Sequence, residues 1–316
     1  MFYLQVIVWW AILSEMAMSL HRRVAVRSGR IVRMTVNYDL HCHSTASDGT
    51  LAPAEVVRLA ASAGVDVLAL TDHDTLDGIA EAQQTALNES LQLVAGVEIS
   101  VSWKKATIHL LGLGVATDSQ SLVNGLQTQL AFRSWRGQEM ARRLEKDGFL
   151  DALQGAQSHC KGSILSRTHF AHYIVDSGRV NSIRDVFKKF LVPGKPGYVS
   201  GQWVSLEEAV SWILEAGGIP VIAHPARYKF TRTRLRTLLD EFKMHGGIGL
   251  EVVSGSHSLD ETRHMAVVAR DHNLLASRGS DYHGPEKPWV QMGRLRPLPV
   301  NCPAVWEHEH WRGGAS

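Results

Sequence analysis

From Asn37 onward the chain alternates short β-branched stretches with amphipathic helical ones, and this alternation narrows the fold more than any other feature. Val36, Tyr38, Leu40 and Cys42 alternate with Asn37, Asp39, His41 and His43, a period of two that predicts a β-strand. Pro53 opens a helical pattern that Gly64 stops. Further strands are predicted over 65–70, 91–99, 107–113, 219–223, 249–253 and 274–277. Helical patterns cover about 76–87, 205–216, 232–245 and 258–272. Seven strands with mostly helical connections argue for a parallel sheet, most simply one closed into a barrel. Hydrophobic residues make up 45% of the chain, enough for a sizeable core, which excludes global disorder.

Other segments break the alternation. Residues 115–200 contain no comparable strands and read as a helical insert, dividing the barrel into 34–114 and 201–300. The stretch 116–200 carries 12 Lys and Arg against 7 Asp and Glu, a net of +5, although the whole chain is only +2. That mild total does not by itself mark a nucleic-acid-binding protein. Most of the insert's charges belong to solvated helix faces, yet a basic cap facing an anionic substrate accounts for the excess. Residues 1–33 form an N-terminal extension with an apolar run, Phe2 to Leu13, too short to cross a bilayer. A membrane-associating segment, a structured extra element and a non-native stretch upstream of a start at Met34 all fit, and the last is our expectation. The tail, 301–316, is expected to be disordered, its His308 and His310 carrying no function. Cys42, Cys160 and Cys302 lie too far apart in sequence for a disulfide framework or a zinc knuckle, which fits a reducing cytoplasm.

The chemistry lies at the strand ends. His41 and His43 share one face of the first strand, and the following Ser-Asp-Gly turn brings Asp48 back towards it. Asp72 and His73 follow the second strand, Glu98 ends the third and His109 lies inside the fourth. His224 ends the fifth, and Asp281 and His283 follow the last. In parallel α/β barrels such ends converge on the active-site rim. Imidazoles and carboxylates without thiolate suit Zn²⁺, Mn²⁺ or Fe²⁺. This many donors exceeds one tetrahedral ion and fits two or three, with Glu98 able to bridge. Multinuclear sites of this kind direct water onto phosphoryl groups. Cys42 points away from its histidine neighbours and reads as a core side chain.

The segments DLHCHSTASDGT, LALTDHDTLDG, VAGVEIS, HLLGLG, IAHPARY and GSDYHG, in this order over about 37–290, resemble the PHP (polymerase and histidinol phosphatase) metal-dependent phosphoesterases. They are most similar to the branch of nucleoside 3′,5′-bisphosphate phosphatases, some of which are also 5′-to-3′ exoribonucleases. The resemblance implies a distorted (β/α)7 barrel with a helical insert between the fourth and fifth strands, and three divalent ions, with Mn²⁺ expected. It implies a first ion on His41, His43, Glu98 and Asp281, and a second sharing Glu98 with His109 and His224. The third would take Asp48, His73 and His283. Asp72 and His73 are the catalytic candidates, with Asp72 behind the ligands, orienting an imidazole.

The activity so implied is removal of the 3′-phosphate of a nucleoside 3′,5′-bisphosphate by in-line attack of metal-activated water, leaving a nucleoside 5′-monophosphate. The alternatives are 5′-to-3′ exonuclease action on short RNA, a histidinol-phosphate phosphatase and a non-catalytic binding module. The partners implied are a small nucleotide or short RNA, with neither a membrane nor a protein partner. Arg136, Arg167, His169, Lys195 and Arg227 are the substrate-binding candidates. Arg227 follows His224 on a rim loop, where a guanidinium can bind phosphate in bidentate fashion. Arg167 and His169, in Ser166-Arg167-Thr168-His169-Phe170, either contact phosphate or form a structural pair. Trp203 and Trp212 read as packing residues, with base stacking the alternative.

Overall fold

The computed structural model describes residues 22–27, 30–162, 164–286 and 288–312. The seven expected strands are present: β3 (Tyr38–Cys42), β4 (Val67–Leu70), β5 (Gln92–Trp103), β6 (Ala106–Leu113), β8 (Ile219–Ile222), β9 (Gly249–Ser254) and β10 (Leu275–Gly279). β1 (Arg22–Arg27) and β2 (Arg30–Thr35) make a separate antiparallel hairpin. The start expected at Met34 falls inside β2, while residues 1–21 of the expected extension lie outside the described residues. A two-residue strand, β7 (Val204–Ser205), pairs with β5. The sheet order is β10-β9-β8-β6-β5-β4-β3. Its ends meet where Asp281 N donates to His41 O and His43 N to Tyr282 O, each at 2.8 Å, so the barrel is nearly closed.

The sheet is not wholly parallel. β6 runs antiparallel to both β5 and β8. It follows β5 through a two-residue turn, Lys104-Lys105, with both residues at positive φ (42° and 64°). Two-residue hairpin turns need that backbone to match the strand twist. Because β6 is reversed, its first half lies at the rim where the parallel strands end, and this brings His109 there.

The short strands are continuously apolar and buried, as expected with helices outside and packed side chains inside. Outside lie α1 (Pro53–Ser62), α2 (Ile79–Ala86), α7 (Leu206–Glu215), α8 (Arg232–Met244) and α9 (Leu259–Asp271). Reciprocal Ser205–Glu208 and Ser258–Glu261 bonds satisfy the first backbone donors of α7 and α9. Residues 115–200 form α3 (Gln120–Lys146), α4 (Ala152–Ser158), α5 (Arg167–Asp176), α6 (Ile183–Val186) and a π-helical turn. They enclose their own cluster around Met140, Leu144, Phe149 and Phe170. Among the described residues no helix is long and apolar enough to cross a membrane.

The tail is ordered through Arg312, against the expectation of disorder. Val305 is fully buried with Tyr38, Leu40, Val221 and Ala223. Trp306 stacks on Tyr38 with centroids 4.0 Å apart and planes 5° off parallel. Buried aromatic area of this kind outweighs the entropy of ordering a short segment. Cys42 packs apart from Tyr38 and Leu40, against Val56 and Val57, where the β3–β4 register shifts between Asp39 and Cys42.

Candidate metal centre

Nine side chains from six strands or strand ends meet at the rim. His41, His43, Asp48, Glu98, His224 and Asp281 are buried, and His73, His109 and His283 partly so. Glu98 is the hub. Its Oε1 lies 2.9 Å from His109 Nδ1 and from His224 Nε2. Its Oε2 lies 2.9 Å from His73 Nδ1 and 3.2 Å from His43 Nε2. His41 Nε2 faces His43 Nε2 at 3.1 Å, with Asp281 Oδ1 3.5 and 3.4 Å from the two. Asp48 Oδ1 sits 3.4 Å from His283 Nε2 and 3.8 Å from His73 Nε2. Four overlapping groups result: His41, His43 and Asp281; His41, Glu98 and His224; His73, Glu98 and His109; and His43, Asp48, His73 and His283.

This donor set fits divalent cations. Asp48 Oδ1, Glu98 Oε2 and His73 Nδ1 are buried with no hydrogen-bond partner among the described residues, although Glu98 Oε2 and His73 Nδ1 approach to 2.9 Å. Buried polar atoms that converge without bonding one another are what a shared ion leaves unsatisfied. Electrostatics agree. Burial would raise Glu98, Asp48 and Asp281, but the surrounding imidazoles hold all three well below the usual carboxylate range. Burial outweighs Glu98 and Asp48 at His73 and lowers it to about 4, so its ring is neutral at pH 7. At His43, burial is overcome by the adjacent carboxylates of Asp281 and Glu98, which raise it to about 9.

A pH dependence follows. His43 is raised above its ordinary 6.5, so its contribution to the metal-free fold is full below about 6.5 and lost as pH rises through about 9. Metal uptake must displace that proton and strengthens over the same range. Thermal unfolding with and without chelator from pH 6 to 10 is expected to show the metal-free protein weakening as the metal-dependent increment grows. An increment independent of pH would contradict this.

Asp72, expected behind the ligands, holds the turn directly. Its carboxylate accepts Ser44 N (2.8 Å), Ser44 Oγ (2.6 Å) and Ser47 Oγ (2.6 Å). Among the described residues it reaches a ring through Ser47, 3.5 Å from His43 Nδ1. Asp74, which the sequence reading passed over, docks the insert. It is fully buried, donates its N–H to Glu98 O, and pairs with Arg133 of α3 at 2.6 Å. Arg133 also donates to Ser100 Oγ at 2.9 Å. Arg133→Leu strands that carboxylate and is expected to cost about 3–5 kcal/mol. Urea unfolding checks this, and adding Asp74→Asn should recover part of the loss.

The substrate-binding candidates divide. Arg136 is buried, its Nε donating to Val199 O at 3.1 Å, and burial with neighbouring Arg167 and Arg133 lowers it to about 9. Burial also lowers Arg167, which lies within electrostatic range of Arg133, Asp48 and Arg227. Arg227, on the 3₁₀ turn Pro225–Tyr228, donates to Asp281 Oδ2 at 2.5 Å, and that carboxylate raises its pKa. His169 accepts Ser166 N at 3.0 Å, closing the N-terminus of α5, so its Nδ1 has a structural role. Lys195 is exposed in the turn after the π-helix, and among the described residues no bond ties its side chain to the cluster. Trp203 is buried beneath Arg133 and Arg136, 5.0 and 5.5 Å from its ring, and Trp212 packs against Gly125.

A nearly closed α/β barrel carrying imidazoles and carboxylates at its rim defines a metal-dependent hydrolase. Residues 39–217 match the model of the PHP domain. A 3′,5′-nucleoside bisphosphate phosphatase of Chromobacterium violaceum is 46% identical over 85% of this chain and 95% of its own. The 5′-3′ exoribonuclease Rnm of Escherichia coli is 42% identical over 86% and 93%. A solved amidohydrolase structure from Chromobacterium violaceum, with bound sulfate and no metal, superposes at TM-score 0.83, 46% identical over 86% of this chain and 95% of that one. The chain belongs to the PHP family, and it is an enzyme that hydrolyses phosphoester bonds.

Proposed function

We propose that this enzyme removes the 3′-phosphate of nucleoside 3′,5′-bisphosphates, giving nucleoside 5′-monophosphate and phosphate. The observation that carries the reading is a nine-donor cluster with Arg227 bonded to Asp281 at its rim and Arg167 of the insert within electrostatic range of Asp48 and Arg227. The likeness to a bisphosphate phosphatase supports it. His41, His43, Glu98 and Asp281 would hold one ion, Glu98, His109 and His224 a second, and Asp48, His73 and His283 a third, Mn²⁺ being our assignment. Bound there, such ions supply an activated water and neutralise charge developing on the phosphoryl oxygens.

The chain's own groups do the rest. Arg227 orients a phosphoryl oxygen beside Asp281, and Arg136 and Arg167 grip the second phosphate. Their partial desolvation strengthens those contacts relative to water. Neutral His73 is available as a donor at pH 7 without first losing a proton. Three free cysteines support a reducing, cytoplasmic location.

Phosphate release from adenosine 3′,5′-bisphosphate, histidinol phosphate and a 5′-phosphorylated oligoribonucleotide, with Mn²⁺ and after chelation, tests the reading. Metal-dependent release from the bisphosphate should dominate. Preference for the oligonucleotide would favour the exonuclease reading, which the likeness to Rnm supports. No release from any of them would leave a binding module.

A further inference from the structure

The geometry points to Glu251 as a positioning residue that sets two ligands of the cluster at once. It is the third residue of β9, fully buried in a strand whose other side chains are Leu250, Val252, Val253 and Ser254. A carboxylate there is costly unless satisfied. No lysine or arginine forms an ion pair with it among the described residues. Its Oε1 accepts His41 Nδ1 at 2.9 Å, and its Oε2 accepts the backbone N–H of His224 at 2.6 Å. Both oxygens are engaged behind the ligands, so Glu251 belongs to none of the four donor groups.

Each bond has a geometric consequence. A carboxylate accepts only from a protonated Nδ1, which leaves His41 Nε2 to present its lone pair towards His43, Glu98 and Asp281. His224 stands at φ 31° and ψ 55°, a left-handed backbone unusual for a residue with a side chain. The bond to Glu251 holds that backbone, from which His224 Nε2 reaches Glu98 Oε1 at 2.9 Å. One carboxylate on β9 thus registers an imidazole from β3 against one from the end of β8. Gly279 provides the room, since a Cβ there would lie 2.8 Å from Glu251 Oε1.

This inference rests on the reading of the cluster as a metal centre, and the measurements separate the two. Wild type, Glu251→Ala and Glu251→Gln are titrated with Mn²⁺ by calorimetry and assayed for bound metal. The Zn²⁺-loaded proteins are compared by imidazole ¹⁵N NMR, and the metal-free ones by circular dichroism. Glu251→Ala is expected to keep its secondary structure, bind Mn²⁺ about 10–100-fold more weakly, and lose the Nδ1–H tautomer of His41. Glu251→Gln keeps the shape but offers one acceptor for two donors, so it should fall between, and it decides the matter if the alanine variant does not fold. Wild-type affinity together with an unchanged His41 tautomer would overturn the role of Glu251. A wild-type protein that binds no Mn²⁺ would overturn the metal-centre reading and this inference with it.

Discussion

Glu98→Gln is expected to cut phosphate release by about 10³-fold or more, through loss of transition-state electrostatics. The side chain keeps its size, so packing is unchanged. What changes is that one oxygen becomes an NH₂ aimed at imidazoles it formerly attracted. Glu98 meets four histidines within 3.2 Å. It is the group that ties the His41–His43 corner to the His109–His224 corner. Its removal leaves those imidazoles without their shared anion, and the ions proposed to share it would lose a ligand. Released phosphate and bound metal per chain, measured on the same preparations, test this. A variant that retains its metal and more than a tenth of its activity would remove Glu98 from the centre.

Gly279→Ala is the second large effect. An added Cβ would meet His41 Cβ at 2.2 Å and His41 N at 2.8 Å, distances that real side chains do not tolerate. Both neighbours are held by the strand, so neither can swing aside as a flexible side-chain tip could. Overpacking of this kind costs about 1–3 kcal/mol or more. Displacing His41 by about 1 Å adds a loss near 10²-fold in activity. Thermal unfolding and turnover together check it. Unaltered melting with normal turnover would show that β3 and β10 have more slack than their spacing allows.

Much of the centre was legible in the sequence because barrel strands end at a common rim. His41, His43, Asp48, His73, Glu98, His224, Asp281 and His283 follow from that rule once the strands are placed. His109 did not follow from it, since nothing in its apolar neighbours announces that β6 is reversed. Strand direction comes from the Lys104-Lys105 turn, where two lysines adopt a backbone usually given to Asn or Gly. Glu251 was missed for another reason. A lone carboxylate in an apolar strand has no periodic partner, and His41, which accounts for it, lies 210 residues away. The bonds from Ser44 and Ser47 to Asp72 span 28 and 25 residues, and no local pattern announces them. The ordered tail escaped because polar residues interrupt Val305, Trp306 and Trp311.

The closure of the barrel between β3 and β10 also sets a timetable. Ser280 N bonds Asp39 Oδ1 across 241 residues, and His41 meets Asp281 across a similar span. At about 5–20 residues per second, ribosomes take roughly 10–50 s to make that interval. Throughout it His41 and His43 exist without Asp281, and β3 without the neighbour that completes the barrel. Two of the four donor groups, those with Asp281 or His283, therefore cannot be complete until the last strand is made. That half of the cluster assembles late, when the last strand arrives.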